Sequence, residues 1–424
     1  MLNNIDGTVQ ALEGVVGCGP LLSRSKASDV PLRQQVFHHV RAHGRANRTD
    51  ITRALDISAG SATTLTADLI AMGVLQEVTE AQREMGRGRP PVALEVVRDA
   101  AYVIGIKLAF TAHVAVLSDF AGNVVGTATL PKPDKRRTCD EILDEIATLI
   151  DRVLTDTGTV QSDIKAVGLG LPGIVDHASG VITWSSLLLR TNEDLRSAFT
   201  QRFDMPLFLD NDTNMLTLAE LWFGDGRGKT DFAIVTIENG VGMGLVVNNQ
   251  LYRGSHGMGL ELGHTKVQLD GALCRCGQRG CLEAYLADYA LTREAGMALD
   301  QNEADPKAPD ELLDMLFQRA IEGHSAAETI FRRAGRYLSV GLANVVQLFD
   351  PPLIILSGKR MQYGYLYADT VLAEMQKLTL SNGRQACEIA IHPWDDRVWA
   401  RGATVPALSA LTDVMVGGVE MQSL

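Results

Sequence analysis

An α/β protein, with a small winged helix-turn-helix head in front of a larger two-lobed body, is what this sequence predicts. Three observations carry that expectation. At 424 residues the chain is too long for one ordinary domain, so two or three compact units are expected. From about residue 100 onward, strand-like apolar runs alternate with helical periodicity and frequent glycines, of which the chain holds 40. Between residues 31 and 97, three short helical patterns precede two strand-like runs.

The first 30 residues lack sustained periodicity and are expected to form a flexible leader. In the head, which spans residues 31–97, Leu32, Val36 and Val40 recur every four positions with Phe37 beside them, and Gly44 is the expected C-cap. Asn47 caps a second helix whose inner face is Ile51, Ala54 and Leu55. Ser58 caps a third, with Ala62, Leu65 and Leu69 on one side and Gly73 at its end. A strand from Val74 and a returning strand through Val92, Leu94 and Val96 complete a winged helix-turn-helix, and a generic three-helix bundle is the plainer alternative.

Double-stranded DNA is the partner such a head implies. Ser58, Ala59, Ser61, Thr63 and Thr64 crowd the start of the third helix, where they can meet base edges. That helix carries no Lys or Arg, so phosphate contacts are expected from Arg48, Arg53, Arg87 and Arg89. The last two lie on the tip Gly86-Arg87-Gly88-Arg89-Pro90-Pro91, which suits a minor groove or, more plainly, a linker. Charge follows the same division. Eight Arg against six acids give residues 31–91 a charge of +2, so the remainder of a chain of −12 carries −14.

The body, residues 98–424, opens with strands over Tyr102–Leu108, His113–Leu117 and Val124–Leu130, a helix over Ile142–Leu154 and a strand over Ala166–Leu171. Pro206–Leu209 leads into a helix over Thr213–Phe223, and Phe232–Ile237 and Gly242–Val247 resume the strands. Residues 300–308 form a polar excursion, and Val345–Leu356 combines a helix end, a Pro-Pro turn and a strand. The sequence contains neither an apolar run long enough to span a membrane nor a signal-peptide pattern at Met1–Gly19, so a cytoplasmic protein with no membrane partner is expected.

Three of the six cysteines fall within eight residues, Cys274-Arg275-Cys276-Gly277-Gln278-Arg279-Gly280-Cys281. The two glycines let the backbone turn sharply enough for the sulfurs to converge, and His264 supplies a fourth donor. Three thiolates and an imidazole make a closed tetrahedral shell, so a structural zinc ion held by His264, Cys274, Cys276 and Cys281 is expected. Cys18, Cys139 and Cys387 are scattered and are read as ordinary thiols.

Glu261-Leu262-Gly263-His264, the cysteine run and Leu282-Glu283 together resemble the signature of the ROK proteins (repressors, open reading frames and sugar kinases). Gly168-Leu169-Gly170-Leu171-Pro172-Gly173 with Asp176, Asp210-Asn211-Asp212-Thr213-Asn214 and Arg401-Gly402-Ala403 extend the similarity over roughly Leu32–Leu411. The resemblance implies an actin-like fold of the sugar-kinase and RNase H type, with two lobes around a cleft and assembly as dimers or tetramers. A winged head in front is similar to the family's transcriptional regulators of N-acetylglucosamine, xylose or glucose type.

What the resemblance implies about ligands divides in two. Asn211, Asp212, Glu261, His264 and Glu283 match the sugar-binding positions, Asp212 being the general base in family kinases. The nucleotide side departs from the pattern. Where kinases carry Asp-x-Gly-x-Thr, this chain has Lys107, Ala109 and Thr111; Glu238-Asn239 precede Gly240-Val241-Gly242 where Gly-Thr is usual; and Ser357-Gly358-Lys359 replaces a Gly run. An enzyme is therefore not expected, although an active ATP-dependent sugar kinase with an accessory head is the alternative. The stretch Trp184-Ser185-Ser186-Leu187-Leu188 offers Leu187 where glucose-binding members carry Asn, with Ser185 or Ser186 as substitutes. The expected function is a sugar-responsive regulator of carbohydrate genes, by default a repressor relieved by sugar.

Overall fold

Helix-capping chemistry sets out the head. In this computed structural model, which describes residues 16–21, 30–79, 92–131, 135–255, 257–299, 308–364, 369–380, 382–383 and 385–420, helices Leu32–His43, Arg48–Leu55 and Ala59–Ala71 follow in order. The Asn47 side chain accepts from the Asp50 amide and Ser58 from the Ser61 amide, each satisfying an N-terminal donor that the helix itself cannot. Gly44 and Gly73 take the positive φ expected of them. Strands Leu75–Thr79 and Val92–Val96 pair antiparallel, with Ala46–Asn47 on the outer side of the latter. Val36, Phe37, Val40, Ile51, Ala62, Leu69 and Leu94 fill the core. Leu32 does not join it: at the first helical position, just after Pro31, it is exposed.

The expectation of a flexible leader does not extend to residues 16–21. Cys18 is buried there, its amide bonded to the Arg41 carbonyl, and the Gly19 and Leu21 amides bond the carbonyls of Trp222 and Arg227. A short irregular strap without apolar periodicity leaves no signal in the sequence pattern.

The chain forms two compact units: residues 1–230, 248–251 and 396–424 make one, and residues 231–247 and 252–395 the other. In the first, the sheet order is Leu207–Asn211, Ile164–Leu171, Tyr102–Lys107, Ala112–Asp119, Val124–Pro131, with the first two neighbouring pairs parallel and the rest antiparallel. Alternation along the strands sends Ile104 and Ile106 into a core shared with helix Cys139–Thr157, which Thr138 and Glu141 cap reciprocally. The opposite face carries helix Asp396–Thr412 in very close approach. A Cβ on Gly105 or Gly168 would lie 2.0 Å from the Ala400 carbonyl oxygen or 1.7 Å from that of Ala403, so only glycine fits.

In the second unit, Phe232–Ile237 pairs antiparallel with Val241–Val247 and parallel with Leu353–Ser357, which pairs parallel with Glu388–His392. Helix Ser325–Phe349 buries Phe331, Leu338 and Leu342 against Ile354 and Leu356. No described helix is long and apolar enough to cross a membrane.

Candidate functional site

In the second unit the cysteine run closes on itself. Gly277 and Gly280 hold φ of 86° and 75°, and a Cβ at Gly280 would lie 1.7 Å from the Gln268 carbonyl oxygen, so the turn depends on glycine. One donor atom from each of His264, Cys274, Cys276 and Cys281 lies within 4.8 Å of the others. Cys276 Sγ and Cys281 Sγ are 3.7 Å apart, as are Cys274 Sγ and His264 Nδ1. A tetrahedral site with metal–sulfur bonds of about 2.3 Å needs sulfurs about 3.8 Å apart, so the donor set fits a metal ion. With Nδ1 turned to the sulfurs, the other imidazole nitrogen is the one left for a second partner. Burial pushes the Cys274 thiol up, a direction that a bound cation reverses.

Sequence reasoning missed the residues around this cluster. Lys266 Nζ lies 3.0 Å from Cys281 Sγ, and the Tyr289 hydroxyl 3.5 Å from Cys274 Sγ. The position of Lys266, two residues after a ligand, is the only sequence signal for either.

Glu261, His264 and Glu283 are gathered around the cluster. The His264 amide donates to the Glu261 carbonyl at 3.0 Å, and Glu283 Oε1 lies 3.5 Å from Cys274 Sγ while its Oε2 accepts from the Val241 amide at 3.4 Å. Desolvation raises the Glu261 carboxyl, His264 opposes the rise and Glu283 adds to it. Glu261 is itself exposed, so water screens both influences.

Asn211 and Asp212 belong to the first unit, at the start of helix Asp212–Phe223. Asn211 is committed to the backbone at both ends of its amide, accepting from the Thr213 amide and donating to the Gly173 carbonyl, each at 2.8 Å. It thereby fixes the first helical turn and Asp212 within it. Leu187, standing where an amide was expected, is buried in the core. Of its two expected substitutes, the Ser185 hydroxyl already donates to the Pro172 carbonyl at 2.6 Å, and Ser186 is half-buried.

The three altered phosphate elements are each engaged internally. Lys107 is buried, with Nζ 2.5 Å from Asp396 Oδ1 and 3.8 Å from the centre of the Trp399 ring. The Ala109 amide donates to His113 Nδ1 at 3.1 Å, and His113 Nε2 meets Glu145, which also binds Arg137. In the second unit, Glu238 Oε1 accepts from the Lys359 amide, and Lys359 and Arg360 pair with Asp310 and with Asp288 and Asp310 respectively.

In the head, Ser58, Ala59, Ser61, Thr63 and Thr64 are all exposed on the third helix, and Arg53 is exposed on the second. Arg48 is held differently from expectation, its guanidinium bonded to Thr66 Oγ1 at 2.9 Å and Glu77 at 2.7 Å, so the fold already uses that charge. Arg87 and Arg89 lie outside the described residues.

Known proteins with similar chains or folds point the same way. The xylose repressor of Caldicellulosiruptor bescii is 28% identical over 330 residues, covering 76% of this chain and 82% of its own. The glucokinase of Streptomyces coelicolor is 29% identical over 280 residues, covering 63% of this chain and 85% of its own. The crystal structure of a ROK family transcriptional regulator, a homologue of the E. coli Mlc protein, matches with a TM-score of 0.75 and 22% identity over 91% of this chain and 97% of its own, and so shares the fold. The ROK family model matches residues 103–408, well over half of the chain, and this chain belongs to the ROK family.

Proposed function

We propose that this chain is a sugar-responsive, DNA-binding transcriptional regulator, a repressor of carbohydrate uptake or catabolism genes relieved when a sugar binds the ROK body. The observation that carries the reading is the head: a capped third helix with Ser58, Ala59, Ser61, Thr63 and Thr64 exposed beside a β-ribbon, joined to a body of this family. Residues 31–97 are the DNA-binding domain and residues 98–424 the sugar-binding one. Arg53, Arg87 and Arg89 carry the phosphate contacts, with Arg48 bracing the second helix instead.

The sugar's hydroxyls are read by Asp212, Glu261, His264 and Glu283, with Asn211 orienting Asp212. Zinc is the metal that suits three thiolates and an imidazole, and it supplies no chemistry beyond holding the loop. It ties Glu261 and Glu283 to one frame through His264 and Cys281. The protein acts in the cytoplasm as a dimer or tetramer on a paired operator, since one head with few basic contacts binds weakly. Sugar shifts the population towards a form whose heads no longer match that operator.

Kinase activity is disfavoured by the internal engagement of Lys107, Ala109 and Glu238. The likeness to a glucokinase keeps it as the second reading. Titrating the binding of a promoter duplex with a panel of monosaccharides tests the proposal, and unchanged DNA affinity across the panel counts against it. A coupled ATP assay on the same panel tests the alternative; turnover at ordinary kinase rates would replace the regulator reading with it.

A further inference from the structure

We propose that helix Asp212–Phe223 transmits the state of the sugar site to the head, and that Arg41 is the positioning residue through which it holds the head. The inference rests on the sugar-responsive reading and deepens it.

Arg41 lies on the head's first helix and is almost wholly buried, at 1% exposure. Its guanidinium stacks 4.6 Å from the centre of the Trp222 ring and 5.2 Å from that of Phe37. Nη1 donates to Thr412 Oγ1 at 2.9 Å, and Nη2 lies 3.1 Å from His38 Nδ1. An apolar side chain would fill the same space. A planar fork that must satisfy a ring, a hydroxyl and an imidazole together admits far fewer postures.

The strap at residues 16–21 repeats the connection. The Cys18 amide bonds the Arg41 carbonyl at 2.9 Å, and the Gly19 amide bonds the Trp222 carbonyl at 2.8 Å. Arg227, just past the end of the helix, donates to the carbonyls of Gly19, Val16 and Ala42, the last of these in the head. A Cβ on Gly17 would fall 2.3 Å from the Ala42 carbonyl oxygen, so the strap passes the head with no space between them.

The far end of the same helix begins with Asp212, one of the proposed sugar contacts. Ten of its residues are buried, and about 18 Å of rigid helix separates its two ends. A helix packed on all sides moves as a body, so a tilt imposed at Asp212 arrives at Trp222, where Arg41 and the strap convert it into a change in head posture. By linkage, a change at Arg41 also acts back on the turn that holds Asp212.

The test uses the full chain with Trp222→Leu, Trp222→Phe and Arg41→Lys. The probe DNA is a duplex selected by the wild type from a random pool, and the sugars are D-xylose, D-glucose and N-acetylglucosamine. Trp222→Leu is expected to bind the duplex within about twofold of wild type and to keep its thermal stabilisation by sugar. Its sugar-induced change in DNA affinity is expected to fall from about tenfold, a usual coupling, to below about twofold, with Trp222→Phe retaining it. Without sugar, Arg41→Lys is expected to speed hydrogen exchange at the amides of residues 213–217 by about tenfold, while helix Cys139–Thr157 is unchanged.

An intact sugar response in Trp222→Leu, or unchanged exchange at 213–217 in Arg41→Lys, overturns the proposal. Should Trp222→Leu not fold, Arg41→Lys carries both measurements. A wild type stabilised by none of the sugars counts against the sensor reading alone, and the exchange measurement then decides the inference by itself.

Discussion

Glu238 Oε1 accepts a 2.9 Å hydrogen bond from the backbone amide of Lys359. The donor that a phosphate would seek in this loop is thus already bound to a carboxylate of the chain itself. Gly358 sits at φ 116°, where an added Cβ would come within 3.0 Å of Glu238 Cγ, so side chain and loop are fitted to each other. Glu238→Gln is expected to lower stability by about 1–2 kcal/mol through loss of a charge-assisted bond, without creating ATP turnover. Thermal unfolding and a coupled kinase assay measure both.

Restoring the kinase-like carboxylate at position 107 should fail for a related reason. Lys107→Asp would place a second carboxylate near Asp396 and remove the cation over the Trp399 ring. A loss of about 2–4 kcal/mol is expected, less than for a fully buried pair because Asp396 is partly open to water. Lys107→Met, which keeps the stem over the ring, should cost less. Comparative denaturant unfolding checks the order.

Cys276→Ala should remove the metal. Elemental analysis of the purified wild type is expected to find about one zinc per chain, and of the variant almost none. Because Glu283 leans on Cys274 and Glu261 adjoins His264, sugar-induced stabilisation should vanish with the metal while duplex binding by the head persists. Normal sugar response in a metal-free variant would refute the link.

Burial first, and Arg41 second, hold the His38 imidazole down at about 3, against an ordinary value of 6.5. Below pH 6.5 the unfolded chain takes up a proton that the folded head refuses. His38 therefore costs nothing above pH 6.5, and stability declines as pH falls from there towards 3. The decline is at most about 1.4 kcal/mol per pH unit. His38→Gln should flatten the fall in melting temperature between pH 7 and pH 5, and a slope equal to wild type would sink the assignment.

Much of this was legible in residue order. Asn47 and Ser58 announce helix starts because a short side-chain oxygen next to an apolar repeat has one obvious use, and the cysteine run with its two glycines dictates its own closure. The limits were equally physical. Arg48 reads as a phosphate contact until its partner Glu77, 29 residues away, is placed beside it. Asn211 and Ser185 carry sugar-like polarity in the sequence, yet their bonds go to the local backbone. Arg41 and Trp222 could not be linked by any period, since the contact joins elements far apart in the chain.

The close seam between helix Asp396–Thr412 and the strands at Gly105 and Gly168 also bears on how the molecule is made. The first unit takes its sheet early and its covering helix late, with the whole second unit synthesised in between. Arg33 and Gln34 of the head bond the Val416 carbonyl and the Asp413 carboxylate, so this part of the head's anchorage, added to that at Trp222 and Arg227, forms only after those residues leave the ribosome. A nascent chain can thus hold its head at Trp222 and Arg227 before it holds it at Thr412, Asp413 and Val416, and the complete set of contacts waits for helix Asp396–Thr412 and the turn after it to be translated.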